Sequence, residues 1–334
     1  MKLSDVIEGL EGVNYKILKN SFSRKKFELI KELLTEDYDV IVDSFLSFEA
    51  MFSFTIAKLR RKPIIFWSEE WDWEKRKTFK RKLFQPIENL TISYSDAFVV
   101  PGSRHKDYFI SLGASVDKIF IMPNVSNISV KDEDYKNKER LEKVLNITNK
   151  KILLYVGRLE RRKGLKYLIK AFFKLRNEKN DIVLFILGRG KCRDELMLLS
   201  KSLDCNDSIY FMGYVKDELL PSYYLLCDIC VVPSITCDMA DPWVFIVNEA
   251  MYFGKPVIAT DAVGAAFDMI KDGENGFIVP EKDSDALYNA MKKILSDPKL
   301  EKKMGYKSKS IIEEGFRYED MVGGFKEAIE YTSR

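Results

Sequence analysis

The second half of the chain alternates short, almost wholly apolar runs with amphipathic stretches of helix length, and that alternation admits few folds. Residues 151–156 (KILLYV), 181–187 (DIVLFIL), 208–213 (SIYFMG), 228–234 (DICVVPS) and 255–260 (KPVIAT) read as strands. Helical patterns lie between them at 163–175, 192–203, 218–226 and 244–254, the last ended by Gly254. Strands without polar alternation are buried on both faces, and a helix between successive strands implies parallel pairing in a doubly wound sheet. The first half repeats the rhythm more weakly, with strand candidates at 13–18, 38–45, 62–67, 96–100 and 118–122. Residues 125–149 are polar and strandless, which predicts a connection with a helical piece. Residues 318–331 (YEDMVGGFKEAIEY) predict a final helix. A chain of 334 residues suits two cores rather than one. The expectation is therefore an α/β protein of two Rossmann-like, doubly wound domains facing one cleft at the strand C-terminal ends. The N-terminal domain takes 1–124, the connection 125–149, the second domain 150–315, and residues 316–334 form a helix packing back toward the first domain.

Composition removes several classes of function. The 54 basic and 51 acidic residues nearly cancel, leaving +3, which argues against a dedicated nucleic-acid binder. No run of 18 apolar residues occurs, and MKLSDVIEGLEG has no apolar signal core, so a cytoplasmic setting is expected. The triplets at Asn124 and Asn146 are then not glycan acceptors. Cys227 and Cys230 form a C-x-x-C, but no second pair follows and the single histidine, His105, is remote. Buried thiols are the expectation, and His105, at a helix start, reads as a surface residue. The D-x-D triplets Asp37–Asp39 and Asp132–Asp134 precede a strand and lie in the connection, so no metal site is assigned.

Chemistry concentrates in two segments. In ITCDMADPWVFIVNEAMYFGKPVIAT, Asp241 and Glu249 stand eight positions apart around a helix start. Pro242 suits the first helical turn, which would turn the N–H groups of residues 243–245 toward the cleft as an anion or hydroxyl site. At helical rise the acids lie roughly 12 Å apart, about the span from a sugar ring to a ribose across a diphosphate. Taken alone, the same pattern is also that of an amphipathic helix with a capping Asp. In VGRLERRKGLKYLI, Gly157 and Arg158 follow a strand and Lys163 opens the next helix, so cations and a helix N-terminus converge at the sheet mouth. That arrangement can hold a diphosphate and stabilise it as a leaving group. Arg161 and Arg162 read as a solvated turn, and no P-loop occurs.

In order and spacing over about 150–315, VGRLERRKGLKYLIKAF, FILGRG, IYFMGYV, DICVVPS, the D-x7-E segment and GENGFIVPEKDSDAL resemble the motifs of family 4 glycosyltransferases. The resemblance implies the GT-B fold, two Rossmann-like domains and a retaining reaction on a nucleoside-diphosphate sugar, with no metal and no cofactor beyond that donor. It implies that Arg158 and Lys163 hold the diphosphate, that Asp241 contacts the transferred sugar, that the backbone at Trp243, Val244 and Phe245 touches the sugar, and that Glu249 binds ribose. Base recognition is assigned near Tyr214. Two departures stand out: Asp241 is one methylene shorter than the usual Glu, and Val244 replaces a usual glycine.

The first half matches less well. PGSRHKDYFISLGASVDKIFIMPN resembles the end of the family's first domain, but the opening strand and glycine-rich loop are not found, and the sequence begins at what resembles the end of the helix after them; either the protein lacks the element or the start of the chain is missing. Glu69, Glu70, Trp71 and Asp72 follow a strand directly and are assigned to the acceptor side. Lys75–Lys82, a basic helix with aromatics, would suit anionic lipid and a lipid-linked acceptor. The expected function is sugar transfer to a hydroxyl of a glycan or lipid-linked acceptor, peripheral to the inner membrane face. Two other readings share these features: a sugar-nucleotide-binding subunit inactive alone, and a UDP-sugar epimerase, which would need no acceptor.

Overall fold

A computed structural model describes residues 22–45, 48–71, 79–237 and 240–333. The reading of 13–18 as a strand, the question of the opening loop, Asp72 and the first part of Lys75–Lys82 lie outside these residues. The elements in chain order begin with α1 (Phe22–Thr35), β1 (Ile41–Ser44), α2 (Phe48–Arg60), β2 (Ile64–Trp67), α3 (Phe79–Tyr94), β3 (Ala97–Val100), α4 (Ser103–Ser111), β4 (Ile119–Ile121) and α5 (Asp132–Val144). They continue with β5 (Lys151–Val156), α6 (Leu165–Glu178), β6 (Ile182–Leu187), α7 (Arg193–Ser202), β7 (Ile209–Gly213), α8 (Leu220–Leu226), β8 (Ile229–Val232) and α9 (Phe245–Tyr252). The chain ends with β9 (Val257–Thr260), α10 (Gly264–Met269), β10 (Gly276–Val279), α11 (Ser284–Leu295), α12 (Pro298–Gly315) and α13 (Tyr318–Thr332).

Two wholly parallel sheets result. The first runs β1-β2-β3-β4 and the second β10-β9-β8-β5-β6-β7. Period-two alternation sends Ile64, Phe66 and Phe98 to one face of the first sheet, where Phe45 and Phe109 close an aromatic core. Ile65, Ala97 and Val99 go to the other face and meet Phe325, Ala328 and Ile329 of α13. Among the described residues the chain therefore passes from the first sheet to the second through 122–131 and returns at 316–317.

The second sheet is covered on both faces. Leu153, Leu184, Ile186 and Val231 pack beneath α6 and α11, while Leu154, Phe185, Cys230 and Val232 pack beneath α8 and α9. Continuous apolar runs without alternation are what such double coverage demands. Strand β10 was not foreseen: four residues, GFIV, half-exposed at the sheet edge, give too little pattern to separate from a turn. Cys227 and Cys230 are buried free thiols, their sulfurs 3.8 Å apart.

The second sheet reverses its order at β5, which pairs with β6 on one side and β8 on the other. The loops that follow β5 and β8 lie at this reversal, the position where such sheets receive ligands.

Candidate active site

The β5 loop carries Gly157, Arg158 and Lys163, and the β8 loop carries Ser234 and Asp241. They are zipped together: the Ile235 N–H donates to the Arg162 carbonyl at 2.7 Å. Gly164 ends the 3-10 turn Arg161–Lys163 with φ +65, and a Cβ there would stand 1.7 Å from the Pro233 carbonyl oxygen. Only glycine lets the two loops approach this closely.

Asp241 is 3% exposed, and both of its carboxylate oxygens accept hydrogen bonds. Arg162 donates to Oδ1; Lys163 Nζ and Ser234 Oγ each donate to Oδ2 at 2.5 Å. Its backbone is pinned as well, bridging Val263 beyond β9. Glu160 extends the chain of charges, meeting Arg158 at 3.0 Å and Arg162 at 3.5 Å. Three cations thus face two carboxylates, and the excess is positive. Lys163 is only 12% exposed on its side chain; burial pulls its ammonium below the ordinary lysine range and Asp241 opposes the shift. A desolvated cation of this kind interacts more strongly with an arriving anion than a surface lysine does. Arg158, 64% exposed on its side chain, reaches into solvent.

Several expectations require correction. Arg162 is not part of a solvated turn but a half-buried partner of Asp241, whereas Arg161 is exposed. Helix α9 begins at Phe245, not at Pro242. Val244 is its N-cap with extended φ −130 and ψ 122, so Asp241 and Pro242 stand outside the helix. The N–H groups free at the α9 start are those of Phe245 and Ile246, because the Val247 N–H returns to the Val244 carbonyl. Phe245 is exposed, and Trp243 turns away into the seam between the domains. Glu249 is not in contact with the Arg158–Lys163–Asp241 group. It accepts a hydrogen bond from the buried Tyr224 hydroxyl at 2.5 Å and lines a cleft of about 710 Å³ together with Ser126 and Pro221. Tyr214 is an exposed rim residue after β7, with the Arg189 guanidinium 5.5 Å from its ring; Arg189 belongs to the FILGRG segment but is assigned no role from sequence.

On the opposite wall, Glu69 is half-buried beyond β2 and accepts from the Asn124 amide at 2.5 Å. Burial raises its carboxyl above the usual range and that hydrogen bond opposes the rise. Glu70 is exposed. The Asn124 carbonyl in turn accepts from Trp243 Nε1 at 2.6 Å, so the chain Glu69–Asn124–Trp243 crosses from one domain to the other.

The seam holds the largest departure from expectation. His105 is not a surface residue: it is fully buried, its ring 6.0 Å from that of Trp71 and 6.1 Å from that of Trp243. Neither ring nitrogen makes a well-aligned hydrogen bond, although the Pro242 carbonyl lies near the ring. Burial pushes its pKa down to about 4, with the Pro242 carbonyl pulling the other way. Beside it, the Ser103 N–H at the start of α4 donates to Asp268 of α10 at 2.9 Å. Gly102 makes room for that contact, since a Cβ there would meet Asp268 at 2.3 Å. Sequence could not reveal this, because the wrapping comes from Trp71, Trp243 and Gly264, distant in the chain.

Among the described residues no helix is long and apolar enough to cross a membrane, and no cluster of three or more His, Cys, Asp or Glu is arranged to hold a metal ion.

Comparisons with known proteins agree with this architecture. An uncharacterised glycosyltransferase of Methanocaldococcus jannaschii is 30% identical over 190 residues, covering 56% of this chain and 47% of the relative. A second one from the same organism is 27% identical over 330 residues, covering 95% of this chain and 81% of its own length. The chain spans about half the length of the first curated relatives it matches, 47% and 48%. Among solved structures, Anabaena HepE in complex with UDP superposes with a TM-score of 0.82 at 18% identity, over 98% of this chain and 88% of that one. Together with the two parallel-sheet domains, that likeness makes the fold GT-B. A family profile described as glycosyl transferases group 1 matches residues 137–311, more than half of the chain, and the chain therefore belongs to the group 1 glycosyl transferases.

Proposed function

We propose that the protein transfers a sugar from a nucleoside-diphosphate donor to a hydroxyl of a glycan or lipid-linked acceptor, with retention at the anomeric carbon. The observation that carries this reading is the convergence of Lys163, Arg162 and, through Glu160, Arg158 on one carboxylate at the point where the second sheet reverses order. Three cations against two carboxylates leave one positive charge in excess at that point, carried by the solvent-facing Arg158, which suits an arriving diphosphate. The Anabaena protein of like fold is solved with UDP, a ligand of the same class.

In this reading Lys163 and Arg158 bind the diphosphate oxygens and stabilise the charge that grows as the bond from the anomeric carbon to the phosphate oxygen breaks. Asp241 orients the sugar. Its Oδ1 carries one protein donor and Oδ2 two, which leaves a lone pair on Oδ1 for a sugar hydroxyl. Glu249 accepts the ribose hydroxyls while Tyr224 fixes its carboxylate. The acceptor oxygen bonds to the anomeric carbon on the face the phosphate leaves, and the acceptor's proton passes to the departing phosphate oxygen. Glu69, Glu70 and Trp71 form the acceptor wall. Tyr214, with Arg189, stands at the base end.

The test is Lys163→Ala, with transfer or donor hydrolysis measured across UDP-, GDP- and ADP-sugars. Loss of a preorganised leaving-group donor costs about 10²-fold or more. Turnover within about threefold of the unaltered protein removes that role. Product analysis by NMR decides the anomeric configuration. A thermal-shift panel names the donor, since a true ligand stabilises by RT ln(1 + [L]/Kd).

A further inference from the structure

Asn248 is 3% exposed, and its side chain is tied to both places where the chain passes between domains. Its Oδ1 accepts the Ser126 N–H at 3.3 Å, on the outward crossing. Its Nδ2 donates to the Phe316 carbonyl at 3.0 Å, on the return crossing. Helix α9, which bears it, packs against α12 and β8 in the core of the second domain. The two crossings have only these few residues between the domains, so one amide fixes both to the same helix. The next residue along α9 is Glu249. Successive positions on a helix point about 100° apart, and Glu249 lines the 710 Å³ cleft, another wall of which is the outward crossing at 126–129, while Asn248 bonds to both crossings. A second cavity of about 450 Å³, bordered by Ser126, Val130, Asn248 and Phe316, lies against the crossings and leaves room for them to shift.

We infer that Asn248 is a positioning residue for the transfer reaction: it fixes the angle between the domains and couples that angle to the helix that holds the donor. The coupling rests on the reading of Glu249 as the ribose contact; the tie itself does not. When a ligand pulls on α9 through Glu249, the crossings move with the helix, because both are bonded to its neighbouring side chain. Without the amide, donor binding and domain closure become separate events.

The experiment has two arms on the full chain, comparing the unaltered protein with Asn248→Ala and Asn248→Asp. Asp keeps the acceptor for Ser126 and loses the donor to Phe316, so it serves if the Ala variant does not fold. In the first arm, small-angle scattering without ligand is expected to give a larger radius of gyration and a broader size distribution for Ala, with Asp intermediate. Profiles superposing on the unaltered protein overturn the tie, whatever the protein binds. In the second arm UDP, GDP and ADP are added in turn. The unaltered protein contracts, whereas the variants bind the same diphosphate with a Kd within about threefold, fail to contract and transfer about tenfold or more slowly. Variants that contract and turn over normally overturn the coupling. An unaltered protein that binds none of the three refutes the donor reading and the coupling with it, and the first arm still decides the tie.

Discussion

Replacing His105 with Phe removes a titrating side chain that the domain seam buries fully, with the Pro242 carbonyl beside it, and keeps a flat ring between Trp71 and Trp243. The imidazole falls from 6.5 in the unfolded chain to about 4 in the fold. Between those values the unfolded chain holds a proton that the folded chain does not, so stability is complete above pH 6.5 and is lost as pH falls toward 4. At pH 5 the loss is about 2 kcal/mol, because each pH unit below the unfolded value costs about 1.36 kcal/mol until the folded imidazole itself begins to take up the proton. For domains of this size that corresponds to about 4–8 °C in melting temperature. Asp268 and Glu69 act in the opposite sense: burial raises both, so the fold holds their protons more readily and their contribution grows as pH falls. The informative quantity is therefore the difference between the two proteins. Scanning calorimetry from pH 7.5 to 5 is expected to show the unaltered protein losing about 4–8 °C more than His105→Phe. Parallel curves within about 1 °C would mean that the seam is hydrated and the imidazole free to protonate.

Three further outcomes follow from the same geometry. Asp241→Ala strands Lys163 and Arg162 without their buried counter-charge and is expected to cost about 3–5 kcal/mol in urea unfolding; a loss below about 1 kcal/mol means that the cations find solvent. Trp243→Phe leaves the Asn124 carbonyl without its indole donor, costing about 1–3 kcal/mol, and hydrogen exchange in α4 and α10 should quicken if the seam loosens. Gly164→Ala forces a left-handed residue and a methyl group against the Pro233 carbonyl. It should separate the two loops and abolish nucleotide binding, so an Ala variant with unchanged thermal shifts contradicts the close approach described here.

The sequence by itself determined the two-sheet α/β plan, because runs such as DIVLFIL can be stable only where both faces are covered, and helices of matching length stood between them. It also determined which segments carry charge to the sheet mouth, since Arg158 and Lys163 sit immediately beyond a strand that must end there. Tertiary structure decided the pairings. Asp241 meets Arg162 and Lys163 across nearly eighty residues, because β5 and β8 became neighbours in the sheet; nothing local to the RRKG turn separates its exposed arginine from its half-buried one. The start of α9 moved to Phe245 because the Asp241 backbone is held by Val263 in a bridge that no local propensity encodes. His105 changed from a surface residue to a buried one for the same reason. Helix periodicity reports which side of its own helix a residue occupies, and only the meeting of two domains determines whether a second surface covers that side.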